Sequence, residues 1–225
     1  MIQLVSTPDN WRAPYGKDKS LVPVPARMRW LHPAALASWI DTKFSPDSGP
    51  VDSAPELIVT DVYRSLVSQL EAYESGKRGV QRPGYSAHNF GLAIDLDVKA
   101  MMKLLDCDKA ELDLWMDDRN WRCYRDDHKL GPESWHYSFD AVLPGSKAVE
   151  GTIQNRFEGE FTAMRAPENT QAALAKLKLY NGDIDGKLGP ISRRAIQVFQ
   201  RQWKLSVDGK VGPETARMLV AAVLV

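Results

Sequence analysis

A short repeat constrains this chain more than any other feature. The run Ile184–Pro190 (IDGKLGP) returns 23 residues later as Val207–Pro213 (VDGKVGP). Each copy couples an Asp-Gly turn to a Gly-Pro step. Proline suits the first position of a helix, because the N–H it lacks would have had no intrahelical partner. Helical spacing follows both copies: Ile196, Phe199 and Trp203 after the first, and Ala216, Leu219, Val220 and Val223 after the second. A further helix is predicted before the first copy, with Leu174 and Leu177 on one face and Asn169 or Thr170 as its cap. Residues 168–225 therefore predict a three-helix unit with Tyr180, Phe199 and Trp203 in its core. The mixed segment 146–167 is the expected junction, placed nearer 155–167, and residues 1–155 are the expected first domain.

That first domain alternates helical and extended signals. Pro33–Ile40 looks helical from the His-Pro step onward, and Leu57–Thr60 is a short β-rich run. Leu66, Leu70 and Tyr73 recur at helical spacing up to Gly76. Gly91–Val98 alternates as a half-buried strand does, Lys109–Met116 is helix-like, and Ser134–Phe139 is extended. Long apolar runs are few, which argues against a doubly wound parallel sheet. The expectation is an α+β domain with a small, mainly antiparallel sheet and flanking helices, followed by the three-helix module.

The bulk numbers narrow the function. A chain of 225 residues with 44% hydrophobic and 26% charged residues is of globular composition. Its net charge of zero argues against a nucleic-acid binder that relies on neutralising phosphates. Residues 1–155 hold 18 Lys+Arg against 22 Asp+Glu, and residues 156–225 hold 11 against 7. The tail is thus mildly basic, as suits an anionic polymer, although ordinary surface variation accounts for it equally well. Cys107 and Cys123 match no metal knuckle and are expected as reduced thiols. The N-terminus lacks a basic-then-apolar leader, and Met218–Val225 is too short to span a bilayer. Synthesis in the cytoplasm, no membrane insertion and a monomeric state are the resulting expectations.

Four histidines occur, His32, His88, His128 and His136. His32 is expected at a helix start or in the core, and His128 in a solvated loop. His88 has Asp95 seven residues later, and His136 has Glu133 three residues before it. Two imidazoles, an aspartate and a free glutamate are the minimum kit of a zinc hydrolase: three ligands, a fourth position for water, and a proton carrier. Gly91 would let the chain turn so that His88 and Asp95 reach one ion. Residue types alone leave a metal site and a hydrogen-bonded structural set both open.

Ser86-Ala87-His88-Asn89-Phe90-Gly91-Leu92-Ala93-Ile94-Asp95 resembles the S-x-H-x-x-G-x-A-x-D signature of the zinc D-alanyl-D-alanine carboxypeptidases. That family includes the phage L-alanyl-D-glutamate endolysins and shares its fold with the hedgehog signalling domain. Glu133-Ser134-Trp135-His136 is similar to its second motif, E-x-W-H, and Tyr63-Arg64-Ser65 to its Y-R-S/T segment. The three motifs stand in the family's order over roughly residues 25–145. The resemblance implies His88, Asp95 and His136 as zinc ligands and Glu133 as general base and acid. It also implies Arg64 as a grip on substrate carboxylate or oxyanion, with Ser86 in a supporting role. Trp135 is expected to line the cleft. Asp61-Val62 stands where the family often has a small Ser-Gly pair, which bears on the shape of the Arg64 pocket; a purely structural ion pair for Arg64 is the alternative.

The C-terminal repeat resembles the peptidoglycan-binding module of wall hydrolases, Ala195–Gln200 (AIQVFQ) matching its A-I/V-x-x-F-Q helix. Together the resemblances imply a zinc peptidase of peptidoglycan stem peptides, of the phage endolysin type, cutting the L-Ala–D-Glu bond and reaching the wall by holin-type release. A D-Ala-D-Ala carboxypeptidase is the alternative within the class, and a non-catalytic wall-binding protein the alternative outside it.

Overall fold

Short extended runs broken by turns, rather than long apolar strands, build the first part of the molecule. The computed structural model describes residues 2–40, 55–76, 79–124, 133–140, 143 and 153–225. Part of the expected junction and His128 lie outside the described residues. The chain divides into two units, Leu4–Pro144, and Gly145–Val225 together with Met1–Gln3.

The first unit is α+β, as expected. Its main sheet has the order β5 (Val59–Asp61), β6 (Ala93–Leu96), β8 (Glu133–Phe139), β7 (Trp121–Tyr124), and every neighbouring pair is antiparallel. Two small ribbons precede it. One pairs β1 (Val5–Ser6) with β4 (Trp30–Leu31), the other β2 (Arg12–Tyr15) with β3 (Ser20–Pro23). These ribbons carry too few residues each to leave a periodic signal in the sequence. Helices α1 (Pro33–Ile40), α2 (Leu66–Glu74), α3 (Val98–Leu105) and α4 (Lys109–Asp117) flank the sheet.

Local chemistry sets the boundaries. His32 is buried and its Nδ1 accepts the Ala34 N–H at 3.1 Å, so it serves both the helix start and the core. Ser65 caps α2 and Asp97 caps α3, each accepting a backbone N–H at 3.1 Å. The strand predicted over Gly91–Val98 shortens to β6 because Asp97 diverts the chain into α3. The predicted Leu66–Leu70–Tyr73 face of α2 is also rotated. Leu66 and Gln69 are its buried residues, and Tyr73 is 49% exposed.

Tryptophans fill the core. Trp39 meets Trp11 edge-on at 5.7 Å and Trp121 at 5.5 Å, and Trp121 continues to Phe139 at 5.5 Å. Behind β8 the Tyr137 hydroxyl donates to Asp113 at 2.7 Å, and Lys109 reaches the same carboxylate at 2.5 Å. These bonds hold the buried face of β8 on α4. Successive strand residues point to opposite faces, so His136 is left on the other side.

The second unit contains the three predicted helices, α7 (Pro167–Lys176), α8 (Pro190–Gln202) and α9 (Pro213–Ala222). It also contains α5 (Ile153–Arg156) and α6 (Glu158–Met164), so the helical part begins before residue 168. Buried Phe161 and Met164 seat α6 in this unit, where it packs on α9. The predicted cap is corrected. Proline at Pro167 starts α7 after Ala166, and Asn169 and Thr170 lie in its first turn. Their side chains bond back to the carbonyls of Ala163 and Met164, both at 2.8 Å. Trp203 is half-buried against Phe199 at 6.4 Å.

Each Asp-Gly turn is locked from inside by a buried glutamine. Gln171 donates to Asp185 at 2.9 Å and accepts the Gly186 N–H at 2.9 Å. Gln200 donates to Asp208 at 2.8 Å and accepts the Gly209 N–H at 2.9 Å. Gly186 and Gly209 sit at φ of 71° and 70°, the left-handed region that explains the repeated glycine.

Candidate metal centre

Cross-strand register puts the acidic and imidazole groups in one row. Asp61 of β5 stands opposite Asp95 of β6, and Asp95 opposite His136 of β8. Directly paired residues in an antiparallel sheet project to the same face with close Cβ atoms, so these three side chains share a surface. His88 arrives from the 3₁₀ turn Ala87–Phe90, just before β6. Gly91 ends that turn at φ 64°, and a Cβ there would lie 2.6 Å from the His32 nitrogen. Only glycine fits both the conformation and the close approach, which accounts for the expected turn.

The groups converge. His88 Nε2 lies 3.2 Å from Asp95 Oδ1 and 3.3 Å from His136 Nδ1, and His136 Nδ1 lies 2.7 Å from the same Asp95 oxygen. One donor atom from each of the three residues falls within 4.8 Å of the others. A tetrahedral shell with zinc's bond lengths separates its donors by about 3.3–3.5 Å. Two of the three spacings lie within about 0.1 Å of that range, and the third is a hydrogen-bond length. Two imidazole nitrogens and one carboxylate oxygen are also a donor set that suits zinc. The residues therefore fit such an ion.

Outer contacts aim the ligands. His88 Nδ1 donates to the Val62 carbonyl at 2.7 Å, which leaves its Nε2 lone pair towards the cluster. Ser138, two residues along β8, meets His136 Nε2 at 3.2 Å. Burial alone would lower the His88 pKa, but the Asp95 charge outweighs it and the net shift is upward. Burial would likewise raise Asp95, and the two imidazoles overcome it and hold the carboxyl well below its usual range.

Arg64 lies beside the cluster, its Nη2 3.9 Å from Asp95 Oδ2. Its Nε donates to Asp61 Oδ2 at 2.9 Å, Nη2 bonds the same oxygen, and Nη1 donates to Gln69 at 3.2 Å. The structural ion pair weighed from sequence is therefore present, and its partner is Asp61, the residue that departs from the family pattern. Each terminal nitrogen still keeps a second N–H for another acceptor. Asn89 ties the neighbouring loop in, donating to the Arg64 carbonyl at 2.7 Å and accepting the Gly84 N–H at 3.0 Å.

Glu133 opens β8 and is half-buried, where a register irregularity interrupts the pairing with β7. A Cβ added at Gly79 would lie 3.5 Å from its carboxylate. Trp135 is 45% exposed. Ser86 is buried at the head of the 3₁₀ turn, where its hydroxyl makes no capping bond. Gln69, Asn89 and Ser138 were not singled out from sequence, and Asp61 only as a departure from the family pattern, because their roles depend on register and loop packing rather than on spacing.

A family model described as a peptidoglycan binding domain matches residues 166–219, the stretch that holds both Asp-Gly turns. No curated protein matches the chain significantly. Among the described residues no helix is long and apolar enough to cross a membrane.

Proposed function

We propose that the chain is a zinc-dependent peptidase of peptidoglycan stem peptides, held at the cell wall by its C-terminal domain and of the endolysin type. The observation that carries this is the meeting of His88, Asp95 and His136 donor atoms within 4.8 Å, in a chain whose residues 166–219 match a peptidoglycan-binding domain. Zinc held there would make a bound water acidic near neutral pH and polarise the scissile carbonyl. Glu133 takes the proton of the attacking water and passes it to the leaving amine, a role worth about 10²–10⁴ in rate. The spare N–H groups of Arg64 would stabilise negative charge on the carbonyl oxygen as it develops. Trp135 offers an exposed apolar face to the peptide. Tethering to the wall raises the local substrate concentration without any new catalytic contact.

The state of Arg64 favours the L-Ala–D-Glu cut over removal of terminal D-Ala. A free terminal carboxylate is held most tightly by an uncompensated cation, and Asp61 partly offsets this one. Mass spectrometry of fragments from purified peptidoglycan tests the proposal. Fragments split between L-Ala and D-Glu are expected. Loss of D-Ala alone would favour the carboxypeptidase, and intact peptides would favour a binding protein without catalysis. Glu133→Ala should keep metal and wall binding but lose lysis; lysis surviving that change would remove Glu133 from the mechanism.

A further inference from the structure

The second unit contains a cavity of about 490 Å³ lined by Thr162, Arg165, Leu188, Arg193, Asp208, Gly209, Lys210 and Val211. It brings together the end of α6, the start of α8 and the second Asp-Gly turn. Among the described residues three cationic side chains border it against one carboxylate. That carboxylate is engaged, with Asp208 Oδ1 accepting from Gln200 at 2.8 Å and from the Lys210 N–H at 2.9 Å. Arg165 and Arg193 are exposed and have no carboxylate partner among the described residues. Thr162 adds a hydroxyl, and Leu188 and Val211 add aliphatic surface.

On the premise that this domain serves a wall-directed enzyme, we propose that the cavity is the site where the domain grips stem peptide through its carboxylates. The lining chemistry selects the peptide over the glycan. Planar guanidinium groups recognise carboxylates bidentately, and the aliphatic residues accept alanine methyl groups. Among the described residues the lining holds no aromatic side chain, the surface on which sugar rings stack. The two halves of the repeat then have a joint use. The first Gly-Pro step starts the helix that presents Arg193, and the second Asp-Gly turn presents Lys210 across the cavity.

The test is sedimentation of the full-length chain with purified sacculi on ice, comparing wild type with Arg165→Ala/Arg193→Ala. Arg194→Ala/Arg201→Ala serves as a control that removes equal charge outside the cavity. Losing charge-assisted hydrogen bonds should weaken the cavity variant by about tenfold or more, with thermal unfolding and the control's binding unchanged. A synthetic stem tetrapeptide with free carboxylates should release wild type from sacculi, and the same peptide with amidated carboxylates should not. If wild type binds and the cavity variant binds equally well, or the control falls as far, the site is wrong while wall binding stands. Binding that disappears when sacculi are stripped of teichoic acid would also overturn it, since the ligand would be a polyphosphate. If wild type never sediments, the wall-directed function itself fails.

Discussion

Single atoms decide how well the proposed centre holds its ion and its substrate. His136 has one ring nitrogen in the cluster and the other 3.2 Å from Ser138 Oγ. Ser138→Ala should therefore lower zinc affinity by about tenfold without unfolding the chain, as outer-shell losses do. Competition with a chromophoric chelator would measure it, and unchanged affinity would show that the hydroxyl is a bystander. Arg64→Lys replaces a fork that meets Asp61 and Gln69 at once with a single ammonium. Its kcat/KM on stem peptide should drop about a hundredfold, mostly in kcat, if the guanidinium stabilises the oxyanion. Asp61→Asn tests the other half of that pair. The chain should lose less than about 1 kcal/mol, because the pair is partly solvated. The freed cation should bind peptides with a terminal carboxylate more tightly, seen as a lower KM for substrates ending in D-Ala-D-Ala. His88, Asp95 and His136, which the fold brings together, were legible in the sequence because their spacing is local to two motifs. Asp61 was visible only as a departure, since its partnership with Arg64 becomes evident only when β5 is laid beside β6.

Elements fix these atoms through turns that tolerate little change. Gly91→Ala combines a left-handed φ of 64° with a Cβ 2.6 Å from backbone, so it should cost about 3 kcal/mol or more. A thermal melt indistinguishable from wild type would refute that account of the 3₁₀ turn. In the helical unit Gln171 and Gln200 are buried inside their turns. Replacing either by alanine strands turn donors and acceptors, at about 1–3 kcal/mol each. The turn aspartates add a pH signature. Asp185 is lowered from its usual 3.8 by the Gln171 bond and the Lys187 N–H, and Asp208 by the Lys210 N–H and the Gln200 bond. Both shifts are downward, so their stabilisation is complete above pH 3.8 and is lost as pH falls through the lower folded values. Melts from neutral to acid pH should show the loss, and Asp185→Asn/Asp208→Asn should flatten it; an unchanged profile would contradict the assignment. The repeat was legible because its glycines and prolines are punctuation with fixed meaning. The ribbons of residues 5–31 were not, because two- to four-residue strands are too short to carry a periodic signal.

At the scale of the whole molecule, a proposed centre that cuts and a domain that holds are encoded in separate units of one neutral chain. Residues 156–225 nevertheless hold 11 Lys+Arg against 7 Asp+Glu. Retention on sacculi should weaken as salt rises, whereas cleavage of a short soluble stem peptide, which needs no tether, should change much less. Equal salt sensitivity of both would argue that one site does both tasks. The α+β class and the helical tail were readable from periodicity, and the junction between them was not, since α5 and α6 lack a repeat of their own. The most direct test is the metal content of the purified chain, measured by elemental analysis for wild type and for Asp95→Ala. One zinc per wild-type chain and essentially none in the variant is the expected result. A wild-type chain that cleaves stem peptide without any divalent metal, or a variant that keeps its full complement, would contradict it.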